Sequence, residues 1–478
     1  MKVGHRPPAA AIVVAAAVTA FLLVGAGAAT GSGRTWPGPV ETLRSYLRLD
    51  TSNPPGNEIR GALFLKELLE REGIDVELFE PEPGRANLCA RLRGRGELPG
   101  LVLHHHVDVV PASPRGWIRP PFAAATYNDL LLYGRGVLDT KGLGIAQLEA
   151  FLSLKRSGRS LSRDVVYLAT ADEERGGRLG VAAVLEKRPG WLEGVGEAFG
   201  EGGDVETIVD RARWFGIEVQ QKGALWLRLE AGGAGGHAAS ADSAGPAARV
   251  ARAAARLAAM RRPVRVEPVL ERQLAALARV RPSGQAAALR RVAADARRDP
   301  AGLFASLAPW QQLLVTDTVS VTRLGTDSEV VNAHPQRAWA EVDVRLLPTS
   351  SPEEFLREAA KAIDDPGVKV TTLLSAKGEP ASPESGLYAV AKGVLEKRFP
   401  GVVVAPILGP GLSENRVFRS RGIRAYGLLP FRLNYYDAAG IHSVNERMRI
   451  DWFEEGVETV KRIVLEAATT PAPQIPMR

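Results

Sequence analysis

His104, His105, His106 and Asp108 close an apolar run, LVLHHHVDVVP, from Leu101 to Pro111. Its β-branched residues predict a buried strand that ends in side chains of metal-ligand type. Residues two apart share a strand face. The spacing therefore predicts His104, His106 and Asp108 on one side and His105 on the other. An imidazole with a carboxylate two residues on suits a metal ligand whose ring is oriented by an acid behind it. The plainer alternative is a polar strand end without metal. Asp139, in YGRGVLDTKG, is a carboxylate presented by a tight glycine loop ahead of a helix; by itself it reads first as a helix cap. Asp172, Glu173 and Glu174 follow the apolar stretch DVVYLAT. Three adjacent acids at a buried strand end are costly to crowd together unless cations neutralise them. A solvated acidic turn is the plainer reading there. Glu201 stands among glycines in FGEGG.

These residues need elements to carry them. Helical spacing runs over Val40 to Leu49 and Ile59 to Glu72, with a turn-rich Asn-Pro-Pro-Gly loop between them. Strand-like pieces follow at Asp75 to Phe79, Asn87 to Leu92 and Leu101 onward, then a helix over Gly144 to Arg156 and a strand over Asp164 to Thr170. Alternating helices and buried strands predict a layered α/β core. From about Gln220 the pattern changes. Strand, helix (Pro246 to Arg261), two strands (Thr318 to Leu324, Gln336 to Leu347), helix (Pro352 to Ile363) and strand (Val368 to Leu374) spell βαββαβ, a small open-faced sandwich inserted in the core. Helix, strand and helix return at Ser385 to Phe399, Val402 to Ile407 and Trp452 to Ala467.

The chain resembles the dizinc metallopeptidases of the aminoacylase, carboxypeptidase G, acetylornithine deacetylase and succinyl-diaminopimelate desuccinylase group. The matching pieces occur in order: HVDVVP, YGRGVLDTKG, TADEERGG, GEGG, GGHAAS, VNAHPQRAWAEVDVRLLP and GIHSVNE. In length the chain is similar to the carboxypeptidase S and secreted N-acyl amino-acid hydrolase branch. The resemblance implies a zinc-peptidase-like α/β/α catalytic domain over 34–219 and 379–468, with a ferredoxin-like lid and dimerisation domain over 220–378. Residues 263–312, helical and Ala-rich, are an extension whose role the sequence leaves open between structural padding and a substrate wall. The resemblance also implies two Zn²⁺ ions, for which Co²⁺ or Mn²⁺ could substitute. His106, Asp139 and Glu201 would hold one; Glu174, Asp139 and His442 the other. Glu173 would be the general base, and Asp108 would orient His106. Lid residues His237, Asn332 and Arg345, with Gly411 in the loop LGPGLSENRVF, match substrate-binding positions, His237 serving the developing charge on the carbonyl oxygen. That loop carries Glu414 where the family usually has Asp. His104 and His105 are a further departure, since the family mostly has apolar or small residues there.

Composition narrows the function classes. Hydrophobic residues at 45% and charged residues at 24% are ordinary for a folded chain. The net charge of +7 is scattered among Ala and Gly, without the clustered stripe or motif that nucleic-acid binding needs. Cys89 is the only cysteine, so no intrachain disulfide forms. Residues 1–29, with Lys2 and Arg6 before an apolar stretch from Ala9 to Ala29, predict a signal peptide or a membrane anchor, and hence an exported body. The expectation is a metal-dependent hydrolase that cleaves an amide next to a free carboxylate, taking N-acyl amino acids or small peptides. The alternative is an exported metal-binding pseudoenzyme that captures small peptides. A homodimer through the lid is the expected partnership, with membrane contact only through the first segment.

Overall fold

The computed structural model describes residues 37–240 and 242–470. The expectation for residues 1–29 lies outside them.

The apolar run at Leu101 becomes the centre of a nine-stranded sheet. The strands are β1 (Val76–Phe79), β2 (Asn87–Leu92), β3 (Gly100–His106), β4 (Val165–Thr170), β5 (Val195–Gly200), β6 (Asp204–Ile208) and β7 (Arg211–Gln221). After an insertion come β12 (Val403–Gly409) and β13 (Arg424–Gly427). Their order is β1-β2-β4-β3-β5-β13-β7-β12, with β6 alongside β7. The central strands β4, β3, β5 and β13 are parallel. Every residue of β3 is buried, as a parallel strand covered on both faces requires. Val102, Val166 and Leu168 pack against α4 (Val181–Lys187) and against Phe418 of α12 (Asn415–Ser420). On the opposite face His105 meets Gly144 of α3 (Lys141–Ser157): a Cβ there would lie 2.3 Å from the imidazole, so only glycine lets the helix approach. Helices α1 (Pro39–Leu47) and α14 (Ile450–Thr469) pack on α3, and α2 (Ile59–Arg71) covers β1 and β2.

The insertion is a four-stranded antiparallel sheet built from β8 (Gly223–Gly232), β9 (Thr318–Thr326), β10 (Arg337–Leu346) and β11 (Lys369–Ala376), in the order β9-β10-β8-β11. With α5 (Pro246–Ala258) and α10 (Pro352–Ile363) this is the βαββαβ sandwich. Period-2 alternation decides its faces. Leu225, Leu227 and Leu229 join Val342 and Val344 under Val250, Leu257 and Phe355 of the two helices. Trp226, Arg228, Trp339, Asp343 and Arg345 line the other face, half-buried. The junction with the large sheet falls at Lys222, because β7 stays paired with β12 as far as Gln221.

Four helices fill the extension: α6 (Pro268–Leu277), α7 (Ser283–Arg298), α8 (Pro300–Ser306) and α9 (Pro309–Val315). Helix α6 covers β12 at the end of the strand order, and Gln273 Oε1 accepts from Leu408 N at 3.1 Å. Lys222 Nζ donates to Leu313 O and Thr316 O, both at 2.9 Å, and so pins the end of α9 to the junction. The extension thus buttresses the large sheet and its link to the sandwich. Helices α11 (Gly386–Arg398) and α13 (Tyr435–Ala438) complete the returning segment. Among the described residues no helix is long and apolar enough to cross a membrane.

Candidate metal centre

Strands β3, β4 and β5 run parallel, so their carboxyl ends share one edge of the sheet, the place where α/β proteins build sites. That edge carries His106 at the end of β3, Glu173 and Glu174 just past β4, and Glu201 just past β5. Asp139 arrives from the loop before α3, across a cis peptide bond to Thr140. His442 arrives from a turn near the C-terminus, with a side chain 52% exposed.

Asp139 lies between the two histidines. Its Oδ1 is 3.0 Å from His106 Nε2 and its Oδ2 is 2.9 Å from His442 Nε2. Glu201 Oε2 lies 3.5 Å from His106 Nε2, and Glu174 Oε2 lies 3.1 Å from His442 Nε2. Ligand atoms of His106, Glu173 and Glu201 fall within 4.8 Å of one another, as do those of His106, Asp139 and Glu174.

The donor set fits divalent cations. His106 Nδ1 is 2.9 Å from the carbonyl oxygen of Asp108. A carbonyl only accepts, so Nδ1 carries the proton and Nε2 turns its lone pair toward Asp139 and Glu201. Such an arrangement is repulsive unless a cation or a second proton stands between them. Glu201 Oε1 is buried with no hydrogen-bond partner. Burial and mutual repulsion push the carboxyls of Glu173, Glu174 and Glu201 upward, Glu173 well above the carboxylate range with Glu201 as its main charged opponent. The imidazoles answer in the opposite direction. Hydrogen bonds to Asp139 and Glu174 raise His442 to about 10. Burial opposes a charge on His106, but Glu201, Asp108 and Asp139 outweigh it and hold its pKa well above the usual range. Nitrogen and oxygen donors clustered in this way suit Zn²⁺ and its first-row neighbours.

Asp108 stands behind His106 and also reaches the acidic segment. Its carboxylate stays 3.6 Å from His106 Nδ1. Strand β3 ends at His106, so Asp108 leaves the pleat and turns toward the segment after β4. There its Oδ1 accepts from Glu173 N at 3.1 Å and its Oδ2 from Glu174 N at 3.2 Å, with Asn53 Nδ2 on Oδ2 at 2.9 Å. Asp108 therefore backs the His106 ring with its carbonyl and, at longer range, its carboxylate, and the same carboxylate holds the backbone of the two glutamates.

The sequence-predicted substrate residues fall into separate places. Arg345 lies on the helix-free face of the sandwich and is bidentate to Asp343, from 2.8 Å. Its Nη1 is buried and unpartnered. That face abuts the acidic segment: a Cβ on Gly176, which has φ +99°, would be 3.6 Å from Trp226 and 3.5 Å from Leu374. Arg416 comes to the same region. Burial opposes its charge, while Glu173, Glu414 and Glu201 favour it and Arg345 disfavours it. Its Nη2 donates to Gly176 O at 2.7 Å. His237 and Asn332 are exposed beside a small two-stranded ladder, where Gly236–His237 pairs with Ala333–His334. Neither makes a hydrogen bond or ion pair with the acidic cluster among the described residues. Gly411 occupies an exposed turn with open space around it.

Sequence reasoning missed three supports. Glu446, fully buried, accepts from Arg135 Nη1 at 2.7 Å, Gly136 N at 2.9 Å, Leu138 N at 2.8 Å and Asp139 N at 3.3 Å. Its signal was the Asn-Glu pair just after His442. Glu414, also fully buried, bonds Thr170 Oγ1 at 2.5 Å, His104 Nε2 at 3.1 Å and Val181 N at 2.6 Å. The two departures, His104 and Glu414, are thus partners behind the site. Asn415 Nδ2 donates to Glu201 O at 2.8 Å and steadies that ligand's backbone.

Beside His442 lies an apolar ledge. Ile441 is 38% exposed, Val444 46% and Ile118 59%. Asn445 ties the 116–118 turn to this loop, accepting from Ile118 N at 2.6 Å.

The chain is similar to known proteins along most of its length. Aminoacylase-1 of Mus musculus is 23% identical over 438 residues, covering 90% of this chain and 96% of its own. An N-fatty-acyl-amino acid synthase/hydrolase of Homo sapiens is 25% identical over 411 residues, covering 79% of this chain and 77% of its own. Among solved structures, an M20 family metallo-carboxypeptidase from Sulfolobus solfataricus superposes with a TM-score of 0.68 at 22% identity, over 90% of this chain and 99% of that one. Human carnosine dipeptidase 1 gives 0.67 at 17% identity, over 90% and 96%. The sequence pattern of Peptidase family M20/M25/M40 matches residues 102–466. With that pattern running through most of its length, the chain belongs to Peptidase family M20/M25/M40 and is a metallopeptidase or amidohydrolase by that membership.

Proposed function

We propose that the chain hydrolyses an amide bond adjacent to a free carboxylate, taking N-acyl amino acids or small peptides. The observation that carries this reading is Asp139 set between His106 and His442, with Glu173, Glu174 and Glu201 crowded around them. His106, Asp139 and Glu201 would hold one ion and Glu174, Asp139 and His442 the other, with Zn²⁺ the best fit and Co²⁺ or Mn²⁺ able to substitute. Two such ions, when bound, lower the pKa of a water molecule and polarise the amide carbonyl.

The chain's own residues supply the rest. Glu173 is the proton carrier. Burial and Glu201 raise its proton affinity, which suits a group that takes a proton from water and hands it to the departing amine. In that exchange a C–O bond forms, the C–N bond breaks, and the free acid and amine leave. Asp108 fixes Glu173 through its backbone N–H. Arg345, whose Nη1 is unpartnered, would grip the substrate carboxylate with Arg416 beside it. The ledge of Ile118, Ile441 and Val444 offers an apolar acyl group a bed at the other end. The kinship with an N-fatty-acyl-amino acid synthase/hydrolase supports an acyl amino acid over a peptide.

His237 and Asn332 would meet the carbonyl oxygen and the substrate backbone. Their exposed ladder suits a pair that reaches the site from a second copy of the chain, with the sandwich as lid and dimer surface. Residues 1–29 would export the protein or anchor it to a membrane.

The test is hydrolysis of a panel of N-acyl amino acids and dipeptides with zinc and with chelator. Chelator-sensitive release of a free amino acid is expected. A zinc-loaded chain inert on every amide would favour the peptide-capturing alternative.

A further inference from the structure

An open hollow lies outside the acidic cluster. The segment after α5, the start of β9 and helix α8 of the extension surround a cavity of about 690 Å³. That volume falls in the range of about 300–1,000 Å³ used by small-molecule sites. Met260, Val264, Phe304 and Val319 supply apolar walls. No residue that lines it belongs to the acidic cluster.

The charges around the cavity are unevenly committed. Arg262 is already neutralised: it reaches Asp317 at 2.9 Å, pairs with Glu358, and stacks 5.0 Å above the Phe355 ring. Asp317 is saturated as well, accepting from Leu347 N at 2.7 Å and Ser350 Oγ at 2.8 Å. Arg261 lines the same cavity, is exposed, and has no hydrogen-bond or ion-pair partner among the described residues. The cavity therefore offers one uncommitted guanidinium beside a mainly apolar wall.

That combination selects its ligand. A polyanion would bring more charge than one guanidinium neutralises. A plain hydrocarbon would leave the guanidinium idle, and a short acid would leave the wall empty. We propose that this cavity binds one amphiphilic monocarboxylate of the fatty-acid kind. Its carboxylate sits on Arg261 in a planar fork, and its chain lies against Met260, Val264, Phe304 and Val319. Methionine adapts its shape to such chains readily. The floor of the cavity includes Thr316 and Thr318, whose oxygens accept from Lys222 Nζ at the junction of the two sheets. The ligand would therefore rest on the clamp that joins sandwich and large sheet.

The test is isothermal titration of the full chain with sodium decanoate below its micelle concentration, beside sodium butyrate and methyl decanoate. One decanoate per chain is expected, with butyrate and methyl decanoate at least tenfold weaker. Arg261→Glu, which reverses the charge, and Ala301→Phe, which fills the cavity, should each weaken decanoate at least tenfold. Both positions are exposed, so neither change threatens the fold, and circular dichroism would verify this. Absence of decanoate binding, or binding that is undiminished in either variant, would overturn the assignment. Because the readout is binding, the result is independent of whether the acidic cluster hydrolyses amides.

Discussion

The carboxylate of Glu446 holds the backbone of Asp139. Its Oε1 accepts from Asp139 N at 3.3 Å and Leu138 N at 2.8 Å, while its Oε2 takes Gly136 N and Arg135 Nη1. Arg135 Nη2 in turn donates to Ser443 O, beside His442. One buried carboxylate therefore fixes both Asp139 and the turn that carries His442. Glu446→Gln removes the charge that faces Arg135 and gives one oxygen the wrong polarity. Breaking a buried pair of this kind costs about 3–5 kcal/mol. Loss of support behind a metal ligand typically weakens metal binding by about 10–100-fold. Urea unfolding and zinc titration of the variant would measure both, and wild-type zinc affinity would sink the role.

Glu173→Gln should keep its metal and lose turnover by about 10²–10⁴-fold, the usual worth of a positioned acid–base group. Metal content and steady-state kinetics on the same preparation decide it. Near-normal turnover would remove Glu173 from its role.

Arg416→Lys and Arg345→Lys should each raise KM for a carboxylate-bearing substrate by about tenfold or more, with a smaller change in kcat, because an ammonium cannot reproduce the planar fork. The informative control is the same substrate as its methyl ester. If ester and acid lose affinity equally, the arginines serve only the packing around Gly176.

Val444→Ser or Ile118→Ser should lower the preference for an N-lauroyl over an N-acetyl amino acid. A drop of about tenfold in the ratio of kcat/KM values is the expectation for losing part of an apolar bed. An unchanged ratio would place the acyl group elsewhere.

Lys222 supplies a pH signature. Burial lowers its ammonium from 10.5 to about 8. Between those values the unfolded chain binds more protons than the folded one, so stability rises with pH across the window. The handicap is complete below 8 and gone above 10.5. Lys222→Met lacks it. From pH 8 to pH 10 the unfolding free energy of the wild type should gain on the variant by about 2 kcal/mol. Parallel behaviour in urea titrations at both pH values would contradict a buried ammonium.

Much of the site was legible in the chain because its chemistry sits in short segments next to strong local signals. An apolar β-branched run ending in His106, and another leading into Glu173 and Glu174, read as buried strands with polar ends, and adjacent acids there are costly unless cations neutralise them. The βαββαβ insertion was equally readable, since strand and helix periods differ and its apolar stripes alternate cleanly. What sequence could not decide was direction at the strand end. Period two holds only while the pleat lasts, so Asp108, two residues beyond β3, also reaches the backbone of Glu173 and Glu174. Nor could spacing reveal pairs formed across the fold. Glu414 meets His104 from 310 residues away, and Glu446 meets Arg135 from 311. Such partners are chosen by which strands lie side by side and which loops share an edge. Residue types and local periods therefore determined the layers, and the family resemblance proposed the ligands, whereas only the packed sheet decided which residues support them, because burying each charge requires a specific counterpart that the linear order does not supply.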